Sequence, residues 1–325
     1  MPNAYIVAVE SCAIWEIITS AKIFGIDNLH ETNEVTISRI IDMGVQPWEK
    51  TVLITGCSPG SIGEALAKEF LLRENVAVFA TSLPGEKLQE LESLGASCFP
   101  VDVTSAESVR ALKDAVCKLI GDELDVLINC AGMNYVMPAL DVDVDELKRT
   151  FDVNLFGLVR IIQAFSSPLI NRKGLIVNVG SLAAYAPYVF GSSYNASKAA
   201  LLAYSNTLRI ELSPWSVRVM TIIAGPVVSG LMTRKQRTLP KDSRYQPIVD
   251  AFDQRTTHEK HGVQGMPTKE FAKSIVKQVL KSKPPRSYWI GPFASVVWWL
   301  ETFGLASVWS WFFRKRFQLW KLDQH

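Results

Sequence analysis

Histidine is scarce in this chain of 325 residues and forms no pattern: His30, His258, His261 and His325 are the whole set. His258 and His261 stand three apart in a polar stretch with no further ligand types in register, so no metal site is expected. No histidine is placed with a serine or cysteine in the manner of a hydrolase. The cysteines, Cys12, Cys57, Cys98, Cys117 and Cys130, are odd in number and scattered, which fits thiols kept in a reducing compartment. An excess of one charge is missing too. The formal balance is +2, too small for binding through bulk charge, and no nucleic acid is expected as a partner. A secretory leader is not expected either, because the apolar stretch 4–26 carries Glu10, Glu16 and Lys22 and lacks a basic start. What the chain has in quantity is apolar side chains, 48% of it, enough for a large core.

Strand-like apolar runs alternate with helical periodicity from Lys50 to about Ile290. Strands are expected at 51–54, 76–80, 98–101, 126–129, 175–179 and 217–223. Helices are expected at 63–73, 85–94, 106–120, 144–157, 158–170, 193–213 and 268–282, the last with Thr268 as its N-cap. Short buried strands separated by helices mean an α/β fold with a parallel sheet covered on both faces. Ligands of such sheets sit at the carboxyl ends of the strands.

Two ends fall outside that unit, which is taken as 49–286. Residues 1–48 form an extension whose role the sequence does not assign. Residues 287–325 form an aromatic tail. From Ser287 to Phe313 the only charge is Glu301, and Arg314, Lys315 and Arg316 follow at once. Packing over the substrate pocket or a dimer interface would account for the aromatics. The tryptophans, the basic triplet and the acid in the middle favour an interfacial or re-entrant membrane anchor over a span. The polar stretch 228–266 has no clear period; Arg234, Lys235 and Arg237 there could grip a phosphate or carboxylate, although a solvated helix face accounts for them more simply.

Tyr194 and Lys198 lie four apart and share one helix face. A phenol beside an ammonium is a ready general acid/base, because the cation lowers the phenol pKa. Upstream, Thr55-Gly56-Cys57-Ser58-Pro59-Gly60-Ser61-Ile62-Gly63 follows the first strand and opens the first helix. Glycines there let backbone N–H groups approach a pyrophosphate at a helix N-terminus.

Taken with further motifs in order, the chain resembles the short-chain dehydrogenase/reductase family over roughly 50–290. Asp102-Val103 matches an acidic position that contacts adenine. Asn129-Cys130-Ala131-Gly132 matches the family's Asn-x-Ala-Gly turn. Asn154, Ser181, Tyr194 and Lys198 match its catalytic set. Ala224-Gly225-Pro226-Val227 stands where the family usually has Pro-Gly, and Ser229 matches the hydroxyl that follows. The glycine loop and the basic aromatic tail are similar to fungal 1-acyl-dihydroxyacetone-phosphate reductase-like members, which implies the cytosolic face of the endoplasmic reticulum or a lipid droplet, with a cytoplasmic enzyme as the alternative.

The resemblance implies a Rossmann-type doubly wound sheet and interconversion of a ketone and a secondary alcohol on a small lipophilic substrate. It implies Ser181 on the carbonyl, Tyr194 as acid/base, Lys198 lowering the tyrosine pKa and binding ribose, and Asn154 holding a water. A tailoring step on a polyketide or terpenoid is the alternative, and a non-catalytic cofactor-binding scaffold a remote one. Cofactor contacts are expected from Gly56, Ser58, Gly60, Ile62, Gly63, Thr81, Ser82, Asp102, Val103, Asn129, Ala131, Gly132, Tyr194, Lys198, Val227 and Ser229. NADP(H) is favoured over NAD(H), because Thr81-Ser82-Leu83 at the end of the second strand holds no acid to repel a 2′-phosphate.

Overall fold

The computed structural model describes residues 48–230, 237–257, 265–305 and 307–324. The extension 1–47, the histidine pair, Arg234 and Lys235 lie outside the described residues.

Seven parallel strands form the sheet: β1 (Lys50–Ile54), β2 (Val76–Ser82), β3 (Ser97–Pro100), β4 (Val126–Asn129), β5 (Leu175–Val179), β6 (Arg218–Ala224) and β9 (Ser287–Ile290). Their order is β3-β2-β1-β4-β5-β6-β9. The order reverses between β1 and β4, which opens a crevice at the carboxyl ends of the strands there. Strands with helices on both faces must be apolar on both sides. Accordingly all five residues of β5 and all four of β4 are buried. On one face pack α1 (Ile62–Leu71) and α9 (Thr268–Val279); on the other pack α3 (Ala106–Ile120), α5 (Leu158–Ala164) and α7 (Ser192–Glu211). Serine caps begin two of these helices. Ser61 Oγ accepts from Glu64 N at 3.1 Å, and Ser105 Oγ from Ser108 N at 3.2 Å.

Several elements depart from expectation. The helix expected over 85–94 shrinks to α2 (Gln89–Ser93). Gly85 has φ +89, and Glu86 N donates to Leu83 O, so a turn occupies the first residues. The helix pair expected over 144–170 becomes α4 (Val144–Phe151), a π-helical turn Asp152–Gly157, α5 and α6 (Ser166–Arg172). Thr268 is not the N-cap of α9: Pro267 is, and Thr268 Oγ1 donates to Val228 O at 3.1 Å. Ser287–Ile290, read above as the start of the tail, is the seventh strand, paired with β6 from Thr221 to Ala224. Two residues each make a small second sheet, β7 (Val227–Val228) with β8 (Met266–Pro267).

After β9 the tail folds into α10 (Ala294–Thr302) and α11 (Val308–Arg316). Ala294 and Val297 of α10, Trp309 and Phe313 of α11, and Phe317 are buried in a third cluster with Tyr135, Phe190 and Phe252. Phe252 belongs to α8 (Val249–Thr257). The opposite faces stay exposed: Trp299 is 51% accessible and Trp311 66%. Glu301, costly in hydrocarbon, accepts the indole N–H of Trp309 at 3.1 Å instead. No single described helix is long and apolar enough to cross a membrane.

Candidate active site

The glycine loop is built by close backbone approach. A Cβ on Gly63 would stand 2.3 Å from Gly56 O, and one on Gly56, at φ +75, 2.7 Å from Ala131 Cα. Gly60, also at φ +75, faces open space. Ser61 Oγ donates to Gly56 O at 3.0 Å and fixes the turn into α1, where Ile62 is the first residue. At Gly60 the backbone N–H donates to the Glu64 carboxylate at 2.6 Å, so an acid already sits where this loop and helix terminus attract negative charge. Gly230 N donates to Gly60 O at 2.9 Å, which brings Val227 and Ser229 beside the loop.

At the end of β2, Thr81 Oγ1 is buried without a hydrogen-bond partner, and Ser82 Oγ donates to Glu86 O at 3.4 Å. Ser58 Oγ donates to the Glu86 carboxylate. Glu86 is thus an acid at this end of the crevice that the sequence motifs did not flag, because it comes from the turn that displaced the first residues of the expected helix. Asp102 accepts from Thr104 N and Oγ1 at 2.9 and 2.7 Å. Val103 turns into the core, against the position where a Cβ on Gly157 would fall, 2.7 Å from Val103 Cγ2.

Below the crevice, Cys130 N and Ala131 N both donate to Thr55 Oγ1, at 3.1 and 3.2 Å. Asn129 Nδ2 donates to Asn178 Oδ1 at 2.9 Å, and Asn178 Nδ2 to Ser205 Oγ at 2.9 Å, a buried ladder from β4 through β5 to α7. Asn154 sits in the π-helical turn; such turns re-aim side chains and recur at functional sites. Its Oδ1 accepts from Met133 N at 2.8 Å, and its Nδ2 donates to Met133 O and to Ser197 Oγ, both at 2.9 Å. Gly132 lies next to this knot, the site of its missing Cβ being 3.3 Å from Asn154 Oδ1 and 3.9 Å from Lys198 Nζ.

Ser181, at the carboxyl end of β5, caps a short 3₁₀ turn: its Oγ accepts from Ala183 N at 3.1 Å. The same hydroxyl stands close enough to the Tyr194 phenol to act on its pKa as a hydrogen-bonding group. Lys198, one turn along α7, donates from Nζ to Val179 O at 2.9 Å and stands 5.8 Å from the Tyr194 ring centroid. Fold and helix spacing therefore gather Ser181, Tyr194 and Lys198 at one end of β5, with Asn154 joined through Ser197.

The expected pKa coupling is different in the structure. Burial raises the Tyr194 phenol above its usual value; the Ser181 hydrogen bond and the charge of Arg255 draw it back. Burial lowers Lys198 to about 8. An ammonium already committed to a backbone carbonyl and itself desolvated does not drive the phenol down in this state. The cation that acts on Tyr194 here is Arg255, from the segment read above as a polar loop. No neighbour in the sequence marked it. Arg237, from the same segment, pairs with Glu146 at 2.8 Å and lies over Tyr135.

Known proteins agree with this architecture. The short chain dehydrogenase family model matches residues 50–240. A short-chain dehydrogenase, fogD, of Aspergillus ruber is 41% identical over 276 residues, 85% of this chain and 96% of the relative. An NADPH-dependent 1-acyldihydroxyacetone phosphate reductase of Schizosaccharomyces pombe is 45% identical over 204 residues, 61% of this chain and 69% of its own. A solved short-chain dehydrogenase from Streptomyces avermitilis shares the fold, with TM-score 0.69, 24% identity, and coverage of 80% of this chain and 94% of its own. A seven-stranded parallel sheet, a glycine loop at its switch point and matches of this extent lead to one conclusion: the chain belongs to the short-chain dehydrogenase family.

Proposed function

We propose that the protein interconverts a ketone and a secondary alcohol on a lipophilic substrate, with NADP(H) as partner, at a membrane or lipid-droplet surface. The observation that carries the reading is the convergence of Ser181, Tyr194 and Lys198 at the carboxyl end of β5, beside the strand-order reversal. The chain's own groups fit a dinucleotide. Gly56 and Gly63 leave no room for a side chain, Gly60 faces open space, and Thr81 holds a buried hydroxyl without a partner. The loop from Gly56 through Ser58, Gly60 and Ile62 to Gly63 would hold the pyrophosphate, and Thr81 and Ser82 the adenosine ribose. Asp102 and the backbone of Val103 would flank adenine. Asn129, Ala131, Gly132, Val227 and Ser229 would line the nicotinamide half, with Tyr194 and Lys198 at its ribose. The bound nicotinamide supplies the hydride.

In reduction, Ser181 donates a hydrogen bond to the carbonyl oxygen and stabilises the charge that develops there. Tyr194 gives the proton to that oxygen; in oxidation it takes the proton back. Lys198 holds its charge against Val179 O until ribose hydroxyls offer a second partner. Asn154 fixes the backbone at Met133 and, through Ser197, the first turn of α7. The preference for NADP(H) rests on the absence of an acid at Thr81-Ser82-Leu83 and on the NADPH-dependent yeast relative.

The aromatic face of α10 and α11 supports attachment to a lipid surface. Phe293, Trp298, Trp299, Phe303, Trp311 and Phe312 are exposed, and Arg314, Lys315 and Arg316 lie at the exposed end of α11, as an interfacial anchor requires. Helices of nine residues each lie on a surface rather than cross it. The buried faces of the same helices carry the wall over Tyr188 and Phe190, so a lipid substrate would reach the site along the anchor.

NADPH consumption by the full chain with long-chain ketones tests the chemistry. In Tyr194→Phe, turnover should fall on the order of 10²–10⁴-fold while cofactor affinity stays near that of the parent. Turnover within tenfold of the parent would remove Tyr194 from the proton transfer. Tight cofactor binding without turnover of any ketone or alcohol would leave the protein a scaffold.

A further inference from the structure

Two arginines lie over tyrosine rings on the substrate side of the sheet, and they differ in one respect. Arg237, over Tyr135 at 4.3 Å, has the carboxylate of Glu146 at 2.8 Å. Arg255, over Tyr188 at 4.5 Å, has no acid paired with it among the described residues. It is only 8% exposed, and its Nε is buried without a hydrogen-bond partner. A buried guanidinium left unpaired is destabilising even after the surroundings relax. Burial accordingly draws its own pKa down.

The position of this cation is fixed. Phe252, three residues earlier on α8, packs edge-on against Phe190 at 5.4 Å. Phe190 meets Phe317 at 5.5 Å. Tyr188, the ring beneath the guanidinium, is itself wedged edge-on by Phe313 at 5.4 Å and Phe317 at 5.7 Å. Tyr188 belongs to the turn that joins Ser181 to Tyr194, and the arginine's charge is felt at the Tyr194 phenol. A guanidinium stacked on a ring keeps its N–H edge for in-plane, bidentate contact with a carboxylate or phosphate. An aromatic wall supplies nothing to meet that edge. A neutral lipid would leave it unsatisfied as well.

We propose that Arg255 binds an anionic group, a phosphate monoester or a carboxylate, carried by the substrate whose carbonyl meets Ser181 and Tyr194. The substrate is then an acidic amphiphile: its charged end lies on Arg255 and its chain along the aromatic wall of Phe190, Phe313 and Phe317. The assignment rests on the carbonyl chemistry proposed above, and binding is measured separately from turnover so that the two can fail independently.

The test uses the full chain saturated with NADPH, against which an alcohol does not react, and three alcohols of equal chain length: a monoacylglycerol, its phosphate monoester, and a hydroxy fatty acid. Dissociation constants and shifts in melting temperature are read for the parent, Arg255→Met and Arg255→Lys. In the parent, at least one acidic ligand should bind roughly tenfold tighter than the neutral one, as a charge-assisted hydrogen-bond pair would give. Which acid gains identifies phosphate or carboxylate. Arg255→Met should erase that ratio and Arg255→Lys should keep part of it. Without ligand, Arg255→Met should melt no lower than the parent, since it removes a buried unpaired charge and keeps the stem. Equal binding of acidic and neutral ligands in the parent, survival of the preference in Arg255→Met, or collapse of its melting temperature would each overturn the proposal. If an Arg255-dependent preference is found and the matching ketones are not reduced with NADPH, the anion site stands and the carbonyl chemistry falls.

Discussion

The two sides of the crevice are made of different materials. On the side of β1 and β2, the glycine loop is shaped by backbone atoms: Gly63 against Gly56 O, Gly56 against Ala131, Gly230 N on Gly60 O. On the side of Tyr188 and Phe190, large side chains from segments far apart in the chain, among them 135–137, 185–190, α8 and the tail, pack into one core cluster. The first side has to accept one chemical group through main-chain contacts, so its geometry is local and its residues small. The second draws volume and charge from elements far apart in the chain, as the substrate proposed above would need. The tail belongs to this second side, and it has two faces. Trp309, Phe313 and Phe317 complete the catalytic unit, while Trp298, Trp299 and Trp311 look outward.

The sharpest way to break the comparison is to cut into each side separately. Phe313→Ala removes a fully packed ring from the wall and should cost about 3–5 kcal/mol of stability, read as a lowered denaturation midpoint. The triple change Trp298→Ser, Trp299→Ser, Trp311→Ser should leave that midpoint near the parent's and release the protein from membrane pellets. If the triple variant unfolds as readily as Phe313→Ala, the outward face is core in some assembly and no lipid anchor is needed. A soluble parent would refute the anchor as well. For the same reason a chain cut before β9 is a poor test, because it removes a strand of the sheet along with the exposed aromatics.

On the loop side, Gly63→Ala puts a Cβ into Gly56 O and should cost about 1–3 kcal/mol, with a larger loss in cofactor affinity than in wall stability. Titration with NADP⁺ beside a melting curve separates the two; unchanged affinity would mean that the loop is not the pyrophosphate site.

Lys198 gives a smaller effect with a definite sign. Its folded-state pKa, about 8, lies below the unfolded value near 10.5. Between these values the unfolded chain binds more protons at this site, so its contribution to stability rises with pH through that window and the charge is a burden below it. The parent should therefore gain stability relative to Lys198→Met as pH is raised from 8 towards 10, without cofactor present. Parallel melting curves across that range would show that the amine is solvated rather than buried.

The smallest effect concerns Glu86. Glu86→Gln removes a negative charge beside Ser58 and should raise kcat/KM for NADPH relative to NADH by a few-fold at most, since the group is largely exposed to solvent. A change in the opposite direction would place the carboxylate in support of the phosphate rather than against it.

Legibility followed the same division. The glycine loop, Asn129 to Gly132, and the Tyr194–Lys198 spacing could be read because each is a short motif whose meaning lies in backbone geometry or in one helical turn. Strands β1, β4 and β5 could be read because a doubly covered strand is apolar throughout. Thr268 was misread as a cap because a hydroxyl at that place can also tie down a distant strand, as it does at Val228. The unit was closed too early, at 286, since a four-residue edge strand, Ser287–Ile290, reads as the start of the aromatic tail until β6 is beside it. Arg255 and Glu86 were missed for one reason: neither has a neighbour in sequence that marks it.

The parallel sheet, the position of the glycine loop between first strand and first helix, and the shared helix face of Tyr194 and Lys198 could be read from the chain because periodicity and backbone contacts are local; Ser181 joined them through the family resemblance. Which cation acts on the tyrosine, which face of the tail is core, and that Arg255 has no acid against it among the described residues came only from the folded chain. Those depend on desolvation and on contacts between segments a hundred residues apart, and burial, unlike spacing, is not written in any one stretch of the chain.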